Sequence, residues 1–182
     1  MIDLRKEALP DCLEVDGERL PVYTDFRKWI EFQAILEEQG IASYCIFKNE
    51  PPIGDSWVPA AIDFLQSPVS TPHGGESNGN VRAFDWVEDG DYIVGSFQAV
   101  YGIDLTTEHV HWHRFLALFR SLPEQAKMSE VMGYRLYTRT DAKKKAETRY
   151  EEARRHWSLP PKKDKRFIAQ QNAEFGGLDC LV

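Results

Sequence analysis

Three histidines on alternate positions, His109-Val-His111-Trp-His113, are the part of this chain whose residue types are best suited to chemistry. Imidazole is a common metal ligand, and a His-x-His pair at the end of a strand can hold a catalytic metal. Here, however, the residues that follow carry Phe115, Leu118, Phe119 and Leu122 at helical spacing. On a helix the three rings diverge. His111 points with the apolar stripe towards Leu118, His113 lies on the other side with Arg120, and only His109 and His113 share a face. The H-E-x-x-H pattern that supplies a general base is absent. The residues therefore predict a core histidine at 111 and surface histidines at 109 and 113, with a metal-dependent enzyme built on the cluster kept as the weaker alternative.

Other constellations carry less. Glu88, Asp89 and Asp91 invite a calcium reading, but Asp85-Trp-Val-Glu-Asp-Gly-Asp lacks the alternating ligands and closing glutamate of an EF-hand. Carboxylates at the positive start of a helix account for them better. Residues 67–80 contain a glycine pair without the spacing of a phosphate cradle and without a strand before it. Ser56 has no nucleophile elbow around it. Cys12, Cys45 and Cys180 are odd in number and widely scattered, as in a reduced cytosolic protein that uses cysteine as a small apolar residue. Aromatic residues make up 12% of the chain but follow helical stripes instead of alternating with basic ones, so no base-stacking platform is indicated. No cofactor, metal or catalytic residue is predicted, and a binding module is the leading class.

The elements that would position these residues read as mainly α, a helical domain preceded by a small N-terminal β-hairpin. Asp16-Gly17 supplies the two positive-φ positions of a type I′ turn within a hairpin at about 10–23, whose second arm Pro21 confines to an edge. A helix is predicted from Asp25 to Gln39, with Thr24 as its cap and Gly40 as its stop. Its apolar residues, Phe26, Trp29, Ile30, Phe32, Ile35 and Leu36, cover more than half the circumference. That helix is either central or offers a second apolar flank to another chain. Further helices are predicted over 57–66, 88–101 (stopped by Gly102), about 106–122, 124–134 and 141–157, the last a charged one supported by Asp141–Lys145 and Glu151–Arg155 pairs. Residues 67–80 read as a mobile loop, 1–160 as one domain and 161–182 as a loosely attached tail.

Net charge is −7, unevenly spread: an acidic body carries a basic stretch at 141–166. That stretch suits an acidic partner, a phosphate backbone or the chain's own acidic surface. The longest apolar run, around Tyr44 to Phe47, falls far short of the roughly 20 residues a bilayer demands. The first residues lack the apolar core of a signal peptide. Of the five tryptophans, Trp29 and Trp112 read as core. Trp57, beside a proline-rich turn, and Trp157, on the charged helix, read as partner-binding, together with Phe32 and Leu36 on the broad arc of the first helix.

Several segments, in order, resemble the bacteriophage gene product 15 family. They are Leu20-Pro-Val-Tyr-Thr-Asp-Phe-Arg-Lys-Trp-Ile-Glu-Phe after the hairpin and Phe97 through Tyr101-Gly102-Ile103-Asp104-Leu105. Then come His111-Trp112, Arg114-Phe115, Ala117-Leu118-Phe119 and Leu122-Pro123, followed by Gly133-Tyr134-Arg135. The chain departs from the family's pattern at His113, where a second aromatic is frequent, and in the glycine-rich 67–80. The resemblance implies a core made by Phe26, Phe97, Tyr101, Gly102, Asp104, His111, Trp112, Phe115 and Leu118. It also implies a non-enzymatic protein of the tail-morphogenesis cluster, working in the host bacterial cytoplasm as a tail assembly chaperone. Such a protein binds the tape-measure protein and helps recruit tail tube subunits. A structural tail or connector component retained in the virion is the alternative. Self-association stays open, and neither membrane nor nucleic acid is expected as a partner.

Overall fold

The computed structural model describes residues 8–40, 42–66, 82–137 and 144–160; the segments read as a loop at 67–80 and a tail at 161–182 lie outside them. Strands β1 (Cys12–Val15) and β2 (Glu18–Pro21) pair antiparallel, with Cys12 opposite Pro21 and Val15 opposite Glu18. Asp16 and Gly17 take φ of +51° and +86°, as the tight turn requires. After the hairpin, Val22 bridges Phe47 and the Tyr23 amide donates to Ile46 O at 2.7 Å.

Helix α1 (Phe26–Gln39) begins where expected but is capped by Asp25, whose carboxylate accepts from the Arg27 amide at 2.9 Å. Thr24 has a different task, because its carbonyl accepts from the Trp112 amide. Gly40, at φ +70°, stops the helix by donating to Leu36 O. Of the two placements open for α1, the central one holds. Trp29 and Phe32 are wholly buried, and the second flank is covered by a 3₁₀ turn at Tyr44–Ile46 and by Trp57.

Helices α2 (Val58–Gln66), α3 (Gly90–Tyr101), α4 (Trp112–Arg120), α5 (Lys127–Leu136) and α6 (Lys144–His156) follow. The fold is mainly α with a small N-terminal hairpin, as the pattern predicted. Helix α3, predicted from 88, begins at Gly90, and two other starts differ further from expectation. The helix read from about 106 begins only at Trp112: Asp104, accepting from the Thr106 amide at 2.8 Å, caps a single turn closed by the Glu108 amide on Asp104 O. The chain then extends at Val110–His111 to bridge Thr24–Asp25 before α4 starts. Likewise α5 begins at Lys127 and not at Glu124, after a turn in which the Ala126 amide donates to Pro123 O.

The core is built from stacked rings. Phe115 lies 4.5 Å from Phe26 and 5.2 Å from Phe97, joining α4 to α1 and α3, while Trp29 stacks on Phe64 at 4.3 Å. A buried indole carries an N–H that must find an acceptor. Trp29 donates to Tyr23 O, Trp57 to Gly54 O and Trp112 to Leu65 O, all within 3.0 Å. Among the described residues no buried side-chain nitrogen or oxygen lacks a partner.

Candidate interaction surface

The histidine segment is structural. Residues Thr24–Asp25 and Val110–His111 run as a short antiparallel bridge, with the Phe26 amide on Val110 O and the Trp112 amide on Thr24 O. This bridge starts α1 and α4 side by side. His111 is the cap of α4: its Nδ1 accepts from the His113 amide at 3.1 Å, so its Nε2 carries the proton and donates to Pro10 O at 2.9 Å. Both nitrogens are thereby occupied by the backbone.

His113, expected on the surface, is buried. Its Nε2 donates to Phe64 O at 2.9 Å and its ring packs 4.4 Å from Phe64. The helical wheel missed this because the side of α4 away from its stripe is covered too, by Phe64 of α2, a contact that no periodicity within α4 reveals. His111, expected in the core, is only half-buried at the helix start. Burial is the main force pushing both imidazoles below their ordinary titration range; for each, a hydrogen bond to a backbone carbonyl opposes it. His109 stays at the surface, 3.9 Å from Asp25. A metal would have to displace these backbone bonds, and among the described residues no three His, Cys, Asp or Glu side chains gather as a ligand set.

The residues expected to meet a partner separate into two groups. Trp57 and Phe32 have no exposed surface at all. The Trp57 indole packs 5.0 Å from Phe47, 5.4 Å from Tyr44 and 6.3 Å from Phe32. Its proline-rich neighbourhood suggested exposure, but these contacts come from distant residues, and both side chains are core. Leu36 is half-buried against that core. Trp157 is likewise half-buried, seated 5.4 Å from Tyr92 with the Lys127 ammonium 4.7 Å over its ring.

Of the residues expected to form the core, Phe26, Phe97, Trp112 and Phe115 are buried. Leu118 and Tyr101 are half-buried, and the Tyr101 hydroxyl donates to Leu118 O at 2.9 Å. Gly102 is an exposed left-handed stop at φ +68°, and Asp104 organises the turn before α4.

One constellation escaped the sequence reading. Asp89 is 1% exposed and Arg135 5%, and they pair bidentately at 2.6 and 2.8 Å. Asp89 was read as a helix-start carboxylate, yet its side chain caps no amide of α3; it accepts from Arg135 and from the Asp85 amide. The remaining Arg135 donors reach Ala83 O at 3.1 Å and, through Nε, Trp157 O at 2.6 Å. A signal existed: Met128, Val131 and Arg135 follow one another on the buried stripe of α5, and a cation on an apolar stripe requires a buried partner.

Where α5 meets α6, Tyr150 stacks on Tyr137 at 4.9 Å and lies 6.0 Å from Tyr134, and Leu136 at the end of α5 is 53% exposed; Ile53 and Val87 are exposed elsewhere. Further along α6 a shallow depression is lined by Glu151, Arg154, Arg155 and Ser158. The Arg155 guanidinium donates to the Glu151 carbonyl. No described helix is long and apolar enough to cross a membrane.

No curated protein and no solved structure matches the chain. A family model described as Bacteriophage Gp15 protein matches residues 62–159, more than half of the chain. The matched span takes in most of α2 and all of α3 to α6, with the Asp89–Arg135 pair and the Trp157 seat inside it, and begins after the hairpin and α1. The chain thus belongs to the bacteriophage Gp15 family, a family of phage structural and morphogenesis proteins.

Proposed function

We propose that this protein is a non-enzymatic tail-morphogenesis factor, acting in the host cytoplasm as a tail assembly chaperone that binds the tape-measure protein and helps recruit tail tube subunits. Family membership over residues 62–159 is the observation that carries this reading. The occupied imidazoles support it, since His111 and His113 are spent on backbone carbonyls that hold the fold. A tape-measure protein is a long amphipathic rod whose apolar stripe must be covered before assembly. A two-helix face bearing aromatic rings is a suitable cover, because helix-in-groove recognition reads an apolar stripe through spaced anchors.

With Trp57 and Phe32 sealed, the client face moves from α1 to the junction of α5 and α6, where Leu136, Tyr137 and Tyr150 offer apolar surface. Co-expression with the tape-measure protein of the same phage tests this. Leu136→Asp with Tyr150→Asp is expected to abolish co-purification at an unchanged melting temperature, whereas Ile35→Asp on α1 leaves it intact. Full retention of the client by the α5–α6 variant overturns the assignment.

A further inference from the structure

The crossing that starts α1 and α4 side by side carries two caps of different chemistry. At the bridge between Asp25 and His111, the Phe26 amide of α1 ends on Val110 O at 3.0 Å and the Trp112 amide of α4 on Thr24 O at 2.7 Å. One residue further into each helix, the Arg27 amide is met by the Asp25 carboxylate and the His113 amide by His111 Nδ1. The two starts are built alike, except that one cap is an imidazole nitrogen.

That nitrogen accepts a hydrogen bond only while it carries no proton. The other ring nitrogen, Nε2, already donates to Pro10 O at 2.9 Å, so a second proton has one place to go, Nδ1. There it sets an N–H against the His113 N–H and puts a cation at the positive end of α4. Cap and proton exclude each other. His113 differs, because its Nε2 donates to Phe64 O, a bond that survives a second proton on the ring.

Burial is the largest influence on the His111 ring and favours its neutral, capping form. The bond to Pro10 O and the Asp11 carboxylate favour the charged form, and His109 opposes it. The His113 ring lies 5.3 Å away, and Asp25 across the bridge is paired with Arg27 at 2.9 Å. From α2, the apolar Phe64 ring stands at 6.3 Å.

We propose that His111 is a proton-operated latch on the α1–α4 crossing. Neutral, it caps α4 and holds Val110–His111 against Thr24–Asp25. Protonated, it frees the first turn of α4 and that bridge while the core beneath stays folded. This inference goes beyond the client-binding reading and stands without it.

The test is an NMR titration of the isotope-labelled wild-type chain. At neutral pH the ring nitrogen shifts are expected to show His111 as the Nε2–H tautomer, titrating below the ordinary imidazole value of about 6.5. Below that midpoint the Phe26, Trp112 and His113 amides are expected to lose at least about tenfold in exchange protection, while the Trp29 indole N–H on Tyr23 O keeps its own. His111→Asn supplies an amide oxygen that caps without titrating, and should keep the same amides protected throughout. His113→Gln should leave the response in place. An Nδ1–H tautomer, protection indifferent to the His111 midpoint, or a loss shared by the Trp29 indole overturns the latch. So does a response that persists in His111→Asn or vanishes in His113→Gln. Where a variant does not fold, the tautomer and the shared midpoint in the wild-type chain decide.

Discussion

The body around α1 and α4 and the C-terminal pair α5–α6 are held by opposite means. In the first, rings stack at 4.3 to 5.2 Å, three indoles are wholly buried, and each indole N–H ends on a carbonyl of the fold. In the second, one buried ion pair, one half-buried indole and the Tyr150 stack on Tyr137 fasten a highly charged helix. Dispersion and burial are spread over many contacts, so the first region tolerates no vacancy but depends on no single bond. Charge pairing is concentrated, so beyond the buried Met128 and Val131 of α5 the second region leans on the Asp89–Arg135 pair. Stability is spread over many ring contacts in one region and leans on a buried ion pair in the other.

The largest effect should separate the two regions outright. Trp57→Ala removes a wholly buried indole from between Phe32, Tyr44 and Phe47, and is expected to cost about 3–5 kcal/mol. For a chain of this length that lowers the melting temperature by roughly 6–20 °C. Thermal and urea denaturation check this, and a loss near zero would return Trp57 to the surface role its proline-rich neighbourhood suggested. Next comes Arg135→Met, which strands the Asp89 carboxylate in the interior for about 3 kcal/mol. Asp89→Leu combined with Arg135→Met is expected to recover most of that loss, because the pair is costly to desolvate and expensive mainly when broken. Even restored in stability, the double variant lacks the donor to Trp157 O, so α6 is expected to exchange its amide hydrogens faster than the rest of the chain. Failure of the double variant to recover would mean that the pair contributes net stability of its own.

The same contrast explains how much was legible beforehand. Local chemistry could be read directly. Asp16-Gly17 set the hairpin, Gly40 and Gly102 set two helix ends in the left-handed region, and the apolar spacing gave six helices. What the pattern could not show were contacts between residues far apart in the chain. The start of α4 moved because Val110 and His111 are drawn out to pair with Thr24 and Asp25, some eighty residues away. Trp57 was misplaced since its cage comes from α1 and the 3₁₀ turn. The Asp89–Arg135 pair was missed since each partner has an ordinary local explanation, a helix-start acid and a helix-end base.

The smallest expected effect is a titration, and it falls on the body. His111 and His113 are held neutral by burial, so both titrate below the ordinary imidazole value of about 6.5. Above that value folded and unfolded chains are alike neutral and the stability is complete. As pH falls through it, the unfolded chain takes up protons that the folded chain refuses, and stability declines until the lower folded values are reached. Urea midpoints are therefore expected to drop between pH 7 and pH 5. His111→Asn keeps a side chain suited to capping α4, and His113→Gln keeps a donor for Phe64 O, while neither titrates. The double variant is expected to flatten the slope over that interval without a change in helical content. An undiminished slope would assign the proton uptake to groups other than these two imidazoles.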